Sequence, residues 1–153
     1  MKNKTLLVVS LCTGLASESA SATDWVAYSL YGSPDTVGFI FDQYYDFFPV
    51  LSGASLYKTT NNFAQQEEHI INAHLGFGMY TFNMTFGVGY SNSNNWSGLI
   101  SNASVSGGFA LDKEKHFAIS PYATKWSSKE ETRSEIGIKL TYSPSGLRNT
   151  KNR

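Results

Sequence analysis

The chain has 153 residues with 12 basic and 12 acidic side chains, a formal net charge of +0, a single cysteine and four prolines. That balance leaves no basic excess to argue for nucleic acid, the length sets one domain as the prior, and one cysteine excludes a disulfide framework. Mean hydropathy is −0.24 although 14% of residues are aromatic, which argues against intrinsic disorder and, with no continuous apolar segment, excludes a helical membrane protein.

Residues 1–22 read as a secretory signal peptide. Met1-Lys2-Asn3-Lys4 is basic, Thr5 to Leu15 is an apolar run, and Ala20-Ser21-Ala22 is a small-x-small cleavage site. The run falls far short of the ~20 apolar residues of a transmembrane helix. Cys12 lies inside this segment, so the mature chain from Thr23 onward has no cysteine; Leu11 stands where a lipobox needs a small residue. The aromatic residues, 10 Phe, 9 Tyr and 3 Trp, all fall after residue 22.

The mature chain alternates with the period of two that marks strands. Trp25 to Gly32 and Val37 to Gln43 make two strands around Ser33-Pro34-Asp35, the second setting Val37, Phe39 and Phe41 against Gly38, Ile40 and Asp42. Val50 to Lys58 is a third, of mixed parity. His69 to Tyr90 holds two more: Ile71, Ala73, Leu75, Phe77 and Met79 oppose Asn72, His74, Gly76, Gly78 and Tyr80, and after Thr81-Phe82-Asn83 the apolar series resumes at Met84, Phe86, Val88 and Tyr90. Leu99 to Leu111, His116 to Trp126 and Glu135 to Tyr142 complete eight strands.

Eight is the smallest count for a membrane barrel, with an interior just wide enough for side chains. A soluble barrel turns its apolar face inward; a membrane barrel inverts that pattern. Glycine on the polar face suits a crowded interior and favours the inverted arrangement, with Leu75, Phe77, Phe86 and Val88 toward lipid and His74, Gly76 and Gly87 inside. Thr59 to Glu68, Ser91 to Ser97 and Ser127 to Arg133 are expected as longer polar loops at one end, against tight turns at Thr81 to Asn83 and Asp112 to Lys115. Ser33-Pro34-Asp35 is short where that plan wants length. Aromatics near strand ends are expected in interfacial girdles: Tyr44, Tyr45, Phe47, Phe48, Tyr80, Phe82, Phe109, Phe117 and Tyr142 at one edge, and Tyr57, Tyr90, Trp96 and Trp126 at the other.

The final strand, Glu135-Ile136-Gly137-Ile138-Lys139-Leu140-Thr141-Tyr142, resembles the C-terminal β-signal of outer-membrane proteins, with Glu135, Gly137, Leu140 and Tyr142 at its four fixed positions. With the export signal and eight alternating strands, the chain resembles the small eight-stranded barrels of the OmpA-like and OmpX/Ail type. The resemblance implies an all-β, antiparallel up-and-down transmembrane barrel over residues 23–142, located in the bacterial outer membrane. It also implies contact with outer-membrane lipid and lipopolysaccharide, recognition by the insertion machinery, and a structural role or a host or surface ligand at short extracellular loops. Residues 143–153 depart from the pattern and read as a disordered polar tail.

Asp42, His74, Ser120, Tyr122, Glu135 and Lys139 are expected as a polar network inside the barrel, where a low dielectric favours paired, hydrogen-bonded charges. The alternative is an enzyme that modifies lipid A, since two such families are eight-stranded barrels. The nearest approach to a deacylase set is His116, Ser120 and Glu135. Four residues of strand put His116 and Ser120 ~13 Å apart, too far for a nucleophile and base, so no catalytic residue is assigned. His69 and His74 fall on opposite strand faces and cannot share a metal, and no cofactor is expected. A third reading is a soluble periplasmic barrel binding a small apolar ligand, with the apolar face inward.

Overall fold

The computed structural model describes residues 25–45, 50–61, 66–79, 82–94, 96–129 and 131–144. The signal segment lies outside them, as does the tail beyond Pro144. Nine strand segments follow in chain order: β1 (Trp25–Gly32), β2 (Thr36–Tyr45), β3 (Val50–Asn61), β4 (Gln66–Met79), β5 (Phe82–Ser93), β6 (Ser97–Gly107), β7 (Phe109–Ala110), β8 (Phe117–Ser127) and β9 (Thr132–Tyr142). From β1 to β6 each pairs antiparallel with its chain neighbours, β6 and β7 both pair with β8, β8 pairs with β9, and β9 returns to pair with β1.

Eight strands close the barrel, because β6 and β7 are two pieces of one. Ser106 faces Tyr122 and Phe109 faces Ile119 in the same register, so no residue is inserted between the pieces. The ladder lapses only where Gly107 and Gly108 pass Pro121 and Ser120, and Pro121 has no N–H to donate.

The stagger of closure is read from one row of paired residues. From Leu30 the row runs one way through Phe39, Leu56, Ile71 and Tyr90 to Leu99. The other way it runs through Leu140 and Ile119 to Phe109. The two arrivals lie ten residues apart on the sixth strand, a shear that tilts eight strands by about 40°. Every member of this row is apolar and points outward. Leu99 and Phe109 alone span ~33 Å of strand and ~25 Å of barrel height, the depth of a membrane barrel's apolar band.

The inverted arrangement is the one observed. Leu75, Phe77, Phe86 and Val88 are 65%, 62%, 52% and 68% exposed, while His74 on the alternate face is 6% exposed. An apolar-inward barrel with an apolar ligand is thereby overturned. Leaving a Leu or Phe side chain in water forfeits ~1.5–3 kcal/mol of burial, and among the described residues 21 large apolar side chains stand outside. Such a surface is not that of a soluble monomer.

Two further expectations are corrected. The polar loops are largely strand: β3 runs on to Asn61, β4 starts at Gln66, β5 reaches Ser93 and β9 starts at Thr132. Polarity marks where a strand leaves the apolar belt, and cross-strand pairing continues past that point. The turns are therefore short at both ends. Among the girdle aromatics, Tyr44, Tyr57 and Trp126 are 6%, 4% and 1% exposed and lie inside. They share the parity of Asp42, Ser55 and Thr124, and strand parity overrides nearness to a strand end. Phe82, Tyr90, Phe109, Phe117 and Tyr142 do face outward; Phe47, Phe48 and Tyr80 lie outside the described residues.

Candidate functional site

The alternation that sends apolar residues outward sends Ser, Thr, Asn, Tyr and the charged residues of every strand inward, so the barrel interior and its mouth hold what chemistry the chain has. Call the end where the chain enters at Trp25 and leaves at Tyr142 the lower end. The upper end carries the turns joining β1–β2, β3–β4, β5–β6 and β8–β9.

At mid-barrel, Asp42 on β2 and His74 on β4 are both buried and hydrogen-bond at 2.7 Å between Oδ1 and Nε2. Gly53 of β3 lies between them in register, facing Asp42 on one side and His74 on the other. Lys139 of β9 is 4% exposed and sets its ammonium 5.6 Å from the centre of the Tyr122 ring. Tyr122 Oη donates to Ser104 Oγ at 3.0 Å, Ser104 donates to Thr124 Oγ1 at 2.8 Å, and the Tyr57 and Tyr122 hydroxyls meet at 3.1 Å. A chain of hydroxyls thus crosses the interior from β3 to β6 and β8. Below it, Ser106 donates to Asn83 Oδ1 at 2.8 Å, and Ser29 and Thr141 pair at 2.9 Å.

The mouth holds a second charged group. Arg133 of β9 reaches across the barrel to Glu68 of β4, four strands away around the wall, and also approaches Glu131 and Glu135 at 3.4 Å each. Ser91 of β5 donates to Glu68. Three carboxylates around one guanidinium leave this rim net negative.

The six interior residues named from the sequence therefore divide. Asp42 and His74 meet, and Lys139 lies over Tyr122. Ser120 faces Lys139 and Thr124 faces Glu135 in the β8–β9 register, but Glu135 belongs to the mouth and not to the mid-barrel group. Sequence reasoning missed Arg133 and Glu68 by assigning them to loops. Extending the parity of Glu135 by two residues and that of Asn72 by four finds both. His116 sits in the lower turn beside Asp112 and Glu114, at 3.3 and 3.4 Å, while Ser120 is buried inside; no deacylase-like pair forms. Among the described residues no group of three or more His, Cys, Asp or Glu side chains could hold a metal. Glu135, Gly137, Leu140 and Tyr142 lie on the closing strand, with Leu140 and Tyr142 outward and Tyr142 stacked 5.1 Å from Phe117.

In the lower turn, the Asp112 carboxylate accepts the backbone N–H of Phe117 at 2.8 Å and of His116 at 3.0 Å. The Phe117 bond, foremost, holds its pKa below the ordinary value of 3.8, with the His116 contacts adding to it against partial desolvation.

No family model matches this chain, and no curated protein matches it. Among solved structures it is similar to the Yersinia pestis outer membrane protein Ail in a phospholipid bilayer nanodisc. The TM-score is 0.52 at 11% sequence identity, covering 78% of this chain and 98% of that one. At that identity the likeness concerns the fold alone, a closed antiparallel barrel.

Proposed function

We propose that this chain is a bacterial outer-membrane protein, exported by its N-terminal signal, that spans the bilayer as a closed barrel and acts at the cell surface through its polar upper rim. The observation that carries the proposal is the closing row from Leu30 to Leu99 and Phe109, apolar at every step and facing outward. Lipid is the medium that such a belt suits, and the barrel closes where Tyr28–Gly32 of β1 pairs with 138–142 of β9.

The interior is read as plugged. The cluster of Tyr31, Ile40, Tyr57, Ile70, Ile100, Tyr122 and Trp126 occupies the upper barrel, and Ala27, Tyr44, Leu51 and Ala118 the lower. The polar contacts around Asp42, His74 and Lys139 then serve cohesion, and the role is structural or one of surface interaction. Outer-membrane lipid and lipopolysaccharide would meet the belt and its upper edge, where Lys58 and Glu67 pair at 2.8 Å. Glu135, Gly137, Leu140 and Tyr142 would serve the insertion machinery. Fractionation tests the proposal: the protein should sediment with outer membranes and run as a heat-modifiable band. Recovery in an osmotic-shock supernatant without detergent would refute it.

A further inference from the structure

An open cavity of about 400 Å³ lies on the outer wall of the barrel, lined by Glu67, His69, Asn92, Ser93 and Asn94. It stands at the top of β4 and β5, where the outward apolar series of each strand ends: Ile71 gives way to His69 and Glu67, and Tyr90 to Asn92. A strand sends every second side chain to one face, so Glu67 stands beside His69 with ~7 Å of backbone between them. Both are exposed, whereas His74 faces inward and cannot join them. Asn92 faces His69 directly in the β4–β5 register, which brings their Cβ atoms to ~4.5–5.5 Å.

This lining selects a class of ligand. Its side chains end in a carboxylate oxygen, an imidazole nitrogen, two amide oxygens and a hydroxyl, each able to hold a cation. No aromatic or aliphatic side chain lines it, so a sugar ring finds no stacking face and an apolar molecule no wall. Its single carboxylate, Glu67, disfavours an anion. That carboxylate already draws a cation, since Lys58 Nζ lies 2.8 Å from Glu67 Oε1. The two side chains are 44% and 53% exposed, and an exposed pair of this kind is weak enough to yield. Imidazole beside carboxylate suits zinc, copper or nickel, whereas magnesium prefers oxygen alone. His69 and Glu67 are one ligand short of the three that catalytic zinc sites use, so Asn92 and water complete the shell.

We infer that the upper outer edge of β4 and β5 binds a divalent transition-metal ion through His69 and Glu67, with Asn92 beside them. The inference does not depend on which end of the barrel faces the cell exterior.

The test uses the full mature chain in nanodiscs, with the histidine ring resonances followed by NMR. Zn²⁺ should shift those of His69 saturably, and Mg²⁺ at the same concentration should not. His69→Ala should abolish calorimetric Zn²⁺ binding. Glu67→Gln should weaken it by about tenfold or more, the least that even an outer-shell partner contributes. Lys58→Gln should instead tighten it, by up to about fivefold, because the carboxylate is released from an exposed ion pair. A purely structural role for Lys58 and Glu67 gives no such gain. Ser134→Ala, on the outward face of β9, should leave binding unchanged. Absence of a saturable His69 shift, an equal response to Mg²⁺, or a shift confined to His116, whose turn carries Asp112 and Glu114, overturns the inference. The heat-modifiable band reports folding of each variant. If His69→Ala fails to give it, the opposite signs expected of Glu67→Gln and Lys58→Gln decide the matter.

Discussion

Asp42 and His74 hydrogen-bond across an intervening strand, over the bare backbone of Gly53. A Cβ at position 53 would stand 2.1 Å from the Phe41 carbonyl oxygen, 2.6 Å from His74 Nε2 and 3.0 Å from Asp42 Oδ1. The glycine is what allows two side chains on next-nearest strands to touch.

Gly53→Val should therefore separate the pair and strand a buried carboxylate. Leaving a buried polar group without its hydrogen bond costs about 1–3 kcal/mol, and overpacking adds ~1–3 kcal/mol more. Urea unfolding in lipid vesicles should show the loss, and His74→Ala should show a similar one. A Gly53→Val barrel as stable as the parent would mean that the Asp42–His74 contact contributes nothing.

The outward face predicts a depth-dependent cost. Phe86→Arg should destabilise the folded barrel by about 2–4 kcal/mol if the residue lies near the bilayer midplane, whereas Lys58→Arg at the rim should be near neutral. Equal effects at the two positions, measured by the same unfolding assay, would remove the membrane reading.

The lower turn should confer an acid-dependent stability. Asp112 titrates below its ordinary value in the folded chain, so its contribution is fully present above about pH 4 and fades as pH falls through the depressed folded value. Asp112→Asn should lower stability at neutral pH and converge with the parent as the pH falls below about 3.8. Curves that stay parallel over that range would show that the carboxylate charge plays no part.

At the seam, Tyr142 stacks on Phe117 and pairs with Tyr28, and the buried Ser143 bonds back to the Val26 carbonyl at 2.8 Å. Tyr142→Ala should reduce the yield of protease-resistant, heat-modifiable barrel in outer-membrane fractions. Ending the chain at Ser143 should leave that yield intact. The reverse outcome would place the insertion signal elsewhere.

A single-channel measurement probes the interior. With Tyr57, Tyr122 and Trp126 packed inside, planar bilayers should show no large, steady conductance. A porin-like current would contradict a plugged barrel.

Much of this architecture is legible in the chain because a strand's alternation is local. Once Leu75 and Phe77 share a face, His74 and Gly76 share the other, and pairing of the last two strands around Lys129-Glu130 would set Ser120 near Lys139, where the structure has it. Local pattern also names Glu135 to Tyr142 as a strand. Which way the faces turn is not local, since a period of two is identical for a core and for a lipid belt; only closure into a ring decided it. Closure also set the ten-residue stagger, and the stagger brings residues far apart in sequence to one level. Asp42 reaches His74 over Gly53, and Arg133 reaches Glu68 across the mouth, because the curvature and tilt of eight joined strands carry them there. Tyr57 and Trp126 look like interfacial anchors when counted from strand ends and are interior residues when counted by parity. The sequence by itself determined the strands, their pairing order and their two faces; the tertiary structure decided the contacts across the interior, because those depend on the ring and not on any one strand.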